Sequence, residues 1–398
     1  MHKWQIFGTV VLGVAVMSVS IYTAIWLIPR QEAKLFQIVP TEYELLDGWY
    51  ADQQGYALSA FRRSCSVMSR YPDMKPIGPG AIGGYASNWI APCVASKTVD
   101  EKDHDVSRNF FQKWFQPYLV TYAGQEEGLL TGYYEPTLVG SLSPDSRFKT
   151  PILARPKDLI TVALGNFRKK WYGERISGKV RGTRLEPFPS REDIESGLLR
   201  NQGLELVWTD DPIDAFFLHI QGSGRISLPD GRVLRLGYDG QNGHPYTSIG
   251  RELIREGALK PEAVSMQSIK GWLRAHPNRV QEVLQRNASF VFFHINNSEG
   301  PVGAQNVVLM PERSMAVDLR FFPLGAPIWV ETSLPTTNGG DDIWHRLMIA
   351  QDTGGAIRGA IRGDIFWGAG KNAEEVAGRM KQQGRFYLLL PRVRFGHS

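Results

Sequence analysis

From Glu127 onward the chain is a series of short apolar runs, each cut off by glycine or proline after about five residues, the usual length of a strand. Leu129 to Tyr134, Pro151 to Ala154, Ala215 to Gln221 and Val233 to Tyr238 read as strands, followed by Val307 to Met310, Ile328 to Glu331, Arg346 to Ala350, Ile365 to Trp367 and Arg385 to Leu390. Strands this short and closely spaced predict a mainly β fold, a small barrel or sandwich rather than a βαβ sheet. Few helices interrupt them. Ser190 opens one that Gly197 closes, Ser248 opens another, and Ser268 opens a third that restarts at Pro277. Before Glu127 the texture differs: Leu58, Phe61, Cys65 and Met68 fall at helical spacing, as do Phe110, Phe111, Trp114 and Phe115, so Phe36 to about Leu119 is expected to be helical.

The N-terminus carries an uncharged run of 23 residues, Ile6 to Ile28, between Lys3 and Arg30. It is long enough for one transmembrane helix, and it exceeds the apolar core of most cleaved signals. An uncleaved anchor over residues 1–30 is the expectation, with the remainder on the outer, periplasmic side; cleavage and release to the periplasm is the alternative. Cys65 and Cys93 lie beyond that run, where an oxidising compartment would let them pair; two separate buried thiols are equally compatible with the sequence. The net charge of +5 reads as interspersed along the chain, without the basic stripe of a nucleic-acid binder. His219, His244 and His294 form no ligand-spaced pair, so no metal site is expected, and no cofactor motif is present.

The densest polar signal runs from Gln351 to Gly370, where Asp352 and Asp364 bracket a loop containing Gly354, Gly355, Gly359 and Gly363. Asp352 ends one apolar strand and Asp364 opens the next, which would bring both carboxyls to one cleft. Apolar Ile365, Phe366 and Trp367 after Asp364 would raise its pKa into the range of a general acid. Asp and Gly also make ordinary turns, and on spacing alone the turn reading is the favoured one.

This segment resembles the 3D domain of the MltA-type lytic transglycosylases. The resemblance extends over Thr131-Gly132-Tyr133-Tyr134-Glu135-Pro136, Asp214 to Gly224, Gly237 to Tyr246, Phe290 to Phe293, and Val317-Asp318 with Pro323-Leu324-Gly325. It implies a double-psi β-barrel catalytic domain interrupted by a second β-rich domain, with divisions at 1–30 (anchor), 31–136 (helical segment and first part of the barrel), 137–300 (inserted substrate-groove domain) and 301–398 (remainder of the barrel). It also implies cleavage of peptidoglycan glycan strands, with Asp364 as the catalytic acid/base and Asp352 and Asp318 assisting. Tyr133, Tyr134, Gln221, Ser223, Tyr238, Asp239, Gln241, Tyr246, Gly354 and Gly355 are the expected substrate contacts. The membrane is the expected partner of the N-terminal helix, cell-wall synthesis or division proteins are further expected partners, and nucleic acid is not expected. Family members known as lipoproteins carry an N-terminal cysteine; this chain has none near residues 1–30, so the apolar run must do any tethering. A hydrolase on the same barrel and a non-catalytic wall-binding protein are the competing readings.

Overall fold

The computed structural model describes residues 35–335 and 341–392, so the N-terminal apolar run lies outside the described residues. Among the described residues no helix is long and apolar enough to cross a membrane.

The chain opens with strand β1 (Phe36–Pro40), then helices α1 (Gln54–Met68), α2 (Ala86–Ser96) and α3 (His104–Trp114). Strands β2 (Phe115–Tyr122), β3 (Glu127–Glu135), β4 (Thr137–Ser141) and β5 (Thr150–Leu153) follow, and then a three-stranded sheet of β6 (Ile160–Ala163), β7 (Arg175–Arg181) and β8 (Arg184–Pro187). Next come β9 (Glu205–Thr209), α4 (Pro212–Gln221), β10 (Gly224–Ser227), β11 (Val233–Gln241), α5 (Ile249–Arg255), α6 (Met266–Ala275), α7 (Val280–Gln285) and β12 (Val291–Ile295). The last part is β13 (Ser314–Val317), β14 (Pro327–Pro335), β15 (Asp341–Asp352), β16 (Arg362–Ala369), α8 (Lys371–Arg379) and β17 (Lys381–Pro391).

Six of these strands close a barrel in the order β17, β14, β15, β13, β16, β3, the ring being completed by antiparallel pairing of β3 with β17. Two of its pairs are parallel, β13 with β15 and β16 with β3; the rest are antiparallel. Closure leaves the ring without an unpaired edge, which short strands otherwise present to solvent. β2 and β1 extend outward from β17. The three helices pack against this assembly through Phe61, Trp89, Phe110, Phe111 and Phe115, a set of close ring contacts that joins the barrel core of Ile328, Trp329, Leu347 and Phe386. Cys65 and Cys93 form a disulfide linking α1 to α2. Arg313, just before β13, donates to both carboxylate oxygens of buried Asp52 at 2.8 Å.

Between β3 and β13 the chain builds a second, six-stranded sheet ordered β12, β11, β10, β4, β9, β5, with its own core of Leu138, Ile152, Val207, Leu218, Ile226 and Phe293. Helices α4 to α7 pack around Phe216, Leu253, Leu273 and Val283 beside it.

Several local expectations are corrected. Ala215 to Gln221 is helical, not extended: Asp211 caps the first turn by accepting from Ile213 N–H, Pro212 occupies the first turn, and Gly222 ends the helix at φ 76°. Apolar residues on both sides of this buried helix leave no period to read. The N-terminal region is not helical throughout, since β1 and the start of β2 lie within Phe36 to Leu119. Val307 to Met310 is a loop with one bridge, Val302 to Val308. Ser265 caps α6 and Ser268 completes the capping box from inside it. α8 escaped notice altogether. It packs on β3 and β16 so closely that a side chain at Gly132 would meet Trp367 Nε1 at 2.6 Å and Ala377 Cα at 2.8 Å.

Candidate active site

Strand register assembles the site. Ala316 on β13 pairs with Asp352 of β15 on one side and with Asp364 of β16 on the other, and Asp364 pairs in turn with Thr131 of β3. Residues paired across a sheet project to the same face, so Asp352, Ala316, Asp364 and Thr131 form one row. At about 4.8 Å per strand the two aspartate backbones lie roughly 10 Å apart, with only the methyl of Ala316 between them. Two residues along β3, Tyr133 shares the face of Thr131 and reaches back to bond Asp352. Tyr133, Phe366, Ala316, Leu309 and Ile357 make the apolar floor beneath the row.

The two carboxyls are held differently. Asp352 uses both oxygens: Oδ1 accepts from the amides of Ala304 and Thr353 at 2.9 Å, and Oδ2 accepts from the Tyr133 hydroxyl at 2.9 Å. The Ala304 contact needs glycine before it, because a side chain at Gly303 would meet the Gln351 carbonyl at 2.6 Å. Asp364 Oδ1 accepts from Thr131 Oγ1 at 2.5 Å, and Thr131 Oγ1 accepts from Arg362 Nη2 at 2.8 Å. Asp364 Oδ2 has no hydrogen-bond partner among the described residues.

Burial dominates the protonation of both. It pushes Asp352 up to about 6 against its three donors, with the nearby Asp364 charge adding to the rise. Burial likewise raises Asp364, opposed by the Arg362 guanidinium and the Thr131 hydroxyl. Burial and Asp352 together hold the Tyr133 phenol far above its usual range, so it stays a donor. Asp318 behaves in the opposite way. Burial would raise it, but donation from the Arg320 guanidinium and from the amides of Gly359 and Arg320 keeps it below the ordinary carboxylate value. It is a fixed anion that pins the glycine-rich loop at Gly359.

Opposite that loop lies the second sheet's region. A cavity of about 380 Å³ opens between Pro245, Tyr246, Ser248 and Arg251 on one side and Gly355, Ala356 and Arg358 on the other. Gln241 Oε1 comes within 4.0 Å of where a side chain at Gly355 would begin. Of the expected contacts, Tyr133, Gln241, Tyr246 and Gly355 thus gather at the loop and the carboxylate row, and Gly354 bonds Ile357 to shape the loop's turn. Tyr238 is exposed on β11, where the Asp239 carbonyl accepts from Arg155. Tyr134 points the other way from Tyr133, into a small core with Ala373 and Ala377, and its amide donates to Gln221 Oε1. Ser223 is buried. The Tyr134–Gln221 bond thus ties β3 to the end of α4. Sequence reasoning gave no role to Thr131, Arg362, Arg251 or Arg358; the alternation of Thr131 with Tyr133 along β3 was the available signal. His219 is buried, accepts from Val291 N–H and lies against Phe290.

A closed barrel with two buried, raised carboxyls in one row, faced across a cavity by the second sheet's region, is equipped for general acid/base chemistry. Comparison with known proteins makes this specific. Residues 129–294 match the MltA specific insert domain and residues 313–390 match the 3D domain. Membrane-bound lytic murein transglycosylase A of Vibrio cholerae is 34% identical over 272 residues, covering 67% of each chain. The crystal structure of a membrane-bound lytic murein transglycosylase from Agrobacterium tumefaciens has 34% identity and a TM-score of 0.78, covering 89% of this chain and 98% of that one. MltA from Neisseria gonorrhoeae gives 35% and 0.72, covering 89% and 92%. Escherichia coli MltA with bound chitohexaose gives 30% and 0.59, covering 72% and 78%. The chain belongs to the MltA family of lytic murein transglycosylases.

Proposed function

We propose that the protein cleaves the β-1,4 bond between N-acetylmuramic acid and N-acetylglucosamine in peptidoglycan, with Asp364 as the single acid/base. The carrying observation is that Asp364 has a carboxyl raised by burial and one oxygen, Oδ2, left without a protein partner, whereas Asp352 uses both of its own. Protonated Asp364 gives its proton to the glycosidic oxygen as the bond from C1 breaks. The C6 hydroxyl of the same muramoyl residue then bonds to C1 and returns its proton to Asp364. The product is a 1,6-anhydro end, no water is consumed, and the carboxyl finishes as it began. This is why one carboxylate suffices where a hydrolase needs two acting on the sugar. Asp352 and Tyr133 hold the neighbouring charge in place, and Asp318 fixes the loop. In this reading the two parallel pairs in the ring support a double-psi barrel over 31–136 and 301–398, with 137–300 inserted as the other wall of the groove. Residues 1–30 anchor the chain in a bacterial membrane with the enzyme on the periplasmic side.

Digestion of purified sacculi, resolved by mass, tests it. Wild type should release fragments lighter by one water per cut than ordinary reducing ends, and Asp364→Asn, correctly folded by circular dichroism, should lose about 10²–10⁴-fold in rate. Reducing ends in the wild-type digest would point to hydrolysis, and binding without turnover to a wall-binding protein; undiminished release by the variant would remove Asp364 from the mechanism.

A further inference from the structure

The three-stranded sheet of β6, β7 and β8 has an unusual division of faces. Ile160 pairs with Gly178 and Val162 with Ile176; across the other edge Gly178 pairs with Pro187 and Val180 with Leu185. Because paired residues share a face and neighbours along a strand alternate, Ile160, Val162, Ile176, Val180, Leu185 and Pro187 form one wholly apolar face. Ile160, Ile176, Val180 and Leu185 are 41%, 45%, 56% and 39% exposed, and Phe167 in the β6–β7 connection is 72% exposed. The opposite face is polar: Ser177 on it backs onto Gly243 and Thr161 bonds Ser177 and Arg155, while Arg175, Arg181 and Arg184 on it are exposed. A sheet that leaves a wholly apolar face largely in water has left that face for something else.

Charge identifies the occupant. Between Lys157 and Glu186 stand eight basic and three acidic residues, a net +5 equal to the excess of the whole chain. The excess that looked dispersed in sequence is thus gathered on one projecting element. Glu186 pairs with Arg181 and Glu174 lies 4.0 Å from Arg320, while Arg168, Lys169 and Lys170 are exposed beside Phe167 in the β6–β7 connection and Arg184 is exposed at the β7–β8 end of the sheet. A second copy of this chain would bring like charge against like, and a glycan offers neither acyl chains nor a phosphate array. Apolar side chains framed by Arg and Lys are what an anionic lipid surface takes.

We propose that this sheet rests on an anionic bilayer, inserting Ile176, Val180, Leu185 and Phe167 among the acyl chains with the basic residues at the phosphates. The surface is separate from the N-terminal run and independent of the reaction assigned to Asp364. It would fix which way the groove faces relative to the membrane, beyond simply keeping the enzyme near it.

Full-length protein reconstituted into vesicles tests this. The two native cysteines are joined to each other, so Val180→Cys offers a single thiol for an environment-sensitive dye, and Gln125→Cys in the β2–β3 turn serves as control. In vesicles containing phosphatidylglycerol, the dye at 180 should shift to shorter wavelength and be quenched by nitroxide lipids severalfold more than the dye at 125. The difference should shrink in phosphatidylcholine alone and at high salt. Adding Ile176→Glu and Leu185→Glu should abolish it while detergent-solubilised protein still digests sacculi at the wild-type rate. Equal quenching at both positions, quenching that survives the two glutamates, or a lipid-free shift that grows with protein concentration would each overturn the proposal, the last in favour of self-association.

Discussion

Replacing Tyr133 by phenylalanine removes one oxygen and keeps the ring that floors the site, so its effect can be worked out from a single bond. The Tyr133 hydroxyl donates to Asp352 Oδ2 at 2.9 Å. A hydrogen bond to a charged acceptor contributes about 1.5–3 kcal/mol, and one pKa unit corresponds to about 1.4 kcal/mol. This donor favours the ionised carboxylate, so its loss must move Asp352 upward, by about 1–2 units. Starting from about 6, the variant would titrate above neutrality rather than below it. At pH 7 the ionised fraction would drop from roughly nine-tenths to between about a half and a tenth. If catalysis requires Asp352 ionised beside the proton held on Asp364, kcat/KM at pH 7 falls about two- to tenfold and recovers as the pH is raised. The assay is release of anhydromuropeptides from sacculi measured from pH 4.5 to 9.5. A midpoint of the acid limb unmoved from wild type would refute the reasoning. A loss equal at every pH would show instead that the hydroxyl only positions groups.

Three more outcomes follow from the same structure. Asp352 has a folded pKa above the unfolded carboxylate value, so its ionisation costs stability above about pH 6 and nothing below about pH 4; Asp352→Asn should gain about 1–2 kcal/mol in denaturant melts at pH 7.5 and none at pH 4. Asp318→Ala removes the acceptor of the Gly359 amide and the buried carboxylate that Arg320 bonds, and should cost about 2–4 kcal/mol, together with faster proteolysis within residues 353–361. Cys65 and Cys93 are 28 residues apart, so replacing both by serine should lower stability by about 3–4 kcal/mol, read as a lower denaturant midpoint. No change in that midpoint would mean the helices are held by the Phe61 and Trp89 packing alone.

The sequence showed most of the architecture where strands alternate or end in glycine, as with Leu129 to Tyr134 and Ile365 to Trp367. It failed where burial erased periodicity: α4 has four consecutive buried apolar residues, Ala215 to Leu218, and its identity rests on Asp211, Pro212 and Gly222 at its ends. The two carboxylates of the site were visible as a pair in the Gln351 to Gly370 segment. Their relation was not, because it depends on Ala316, an unremarkable residue whose importance lies in standing between two strands. The division of labour was equally hidden. Asp318 looks like its two counterparts in sequence, and only the Arg320 and Gly359 contacts make it a permanent anion. Tyr133 and Tyr134 are adjacent and alike, yet the pleat sends one into the site and the other into the core against α8.

The closing pair of the barrel sets a schedule. β3 lies about a third of the way along the chain, but both of its neighbours, β16 and β17, are made more than two hundred residues later, and Thr131 meets Asp364 across a separation of 233. The row that joins Thr131 to Asp364 therefore cannot form until the C-terminal strands have been made. The ring itself closes only when β17 seats between β3 and β14.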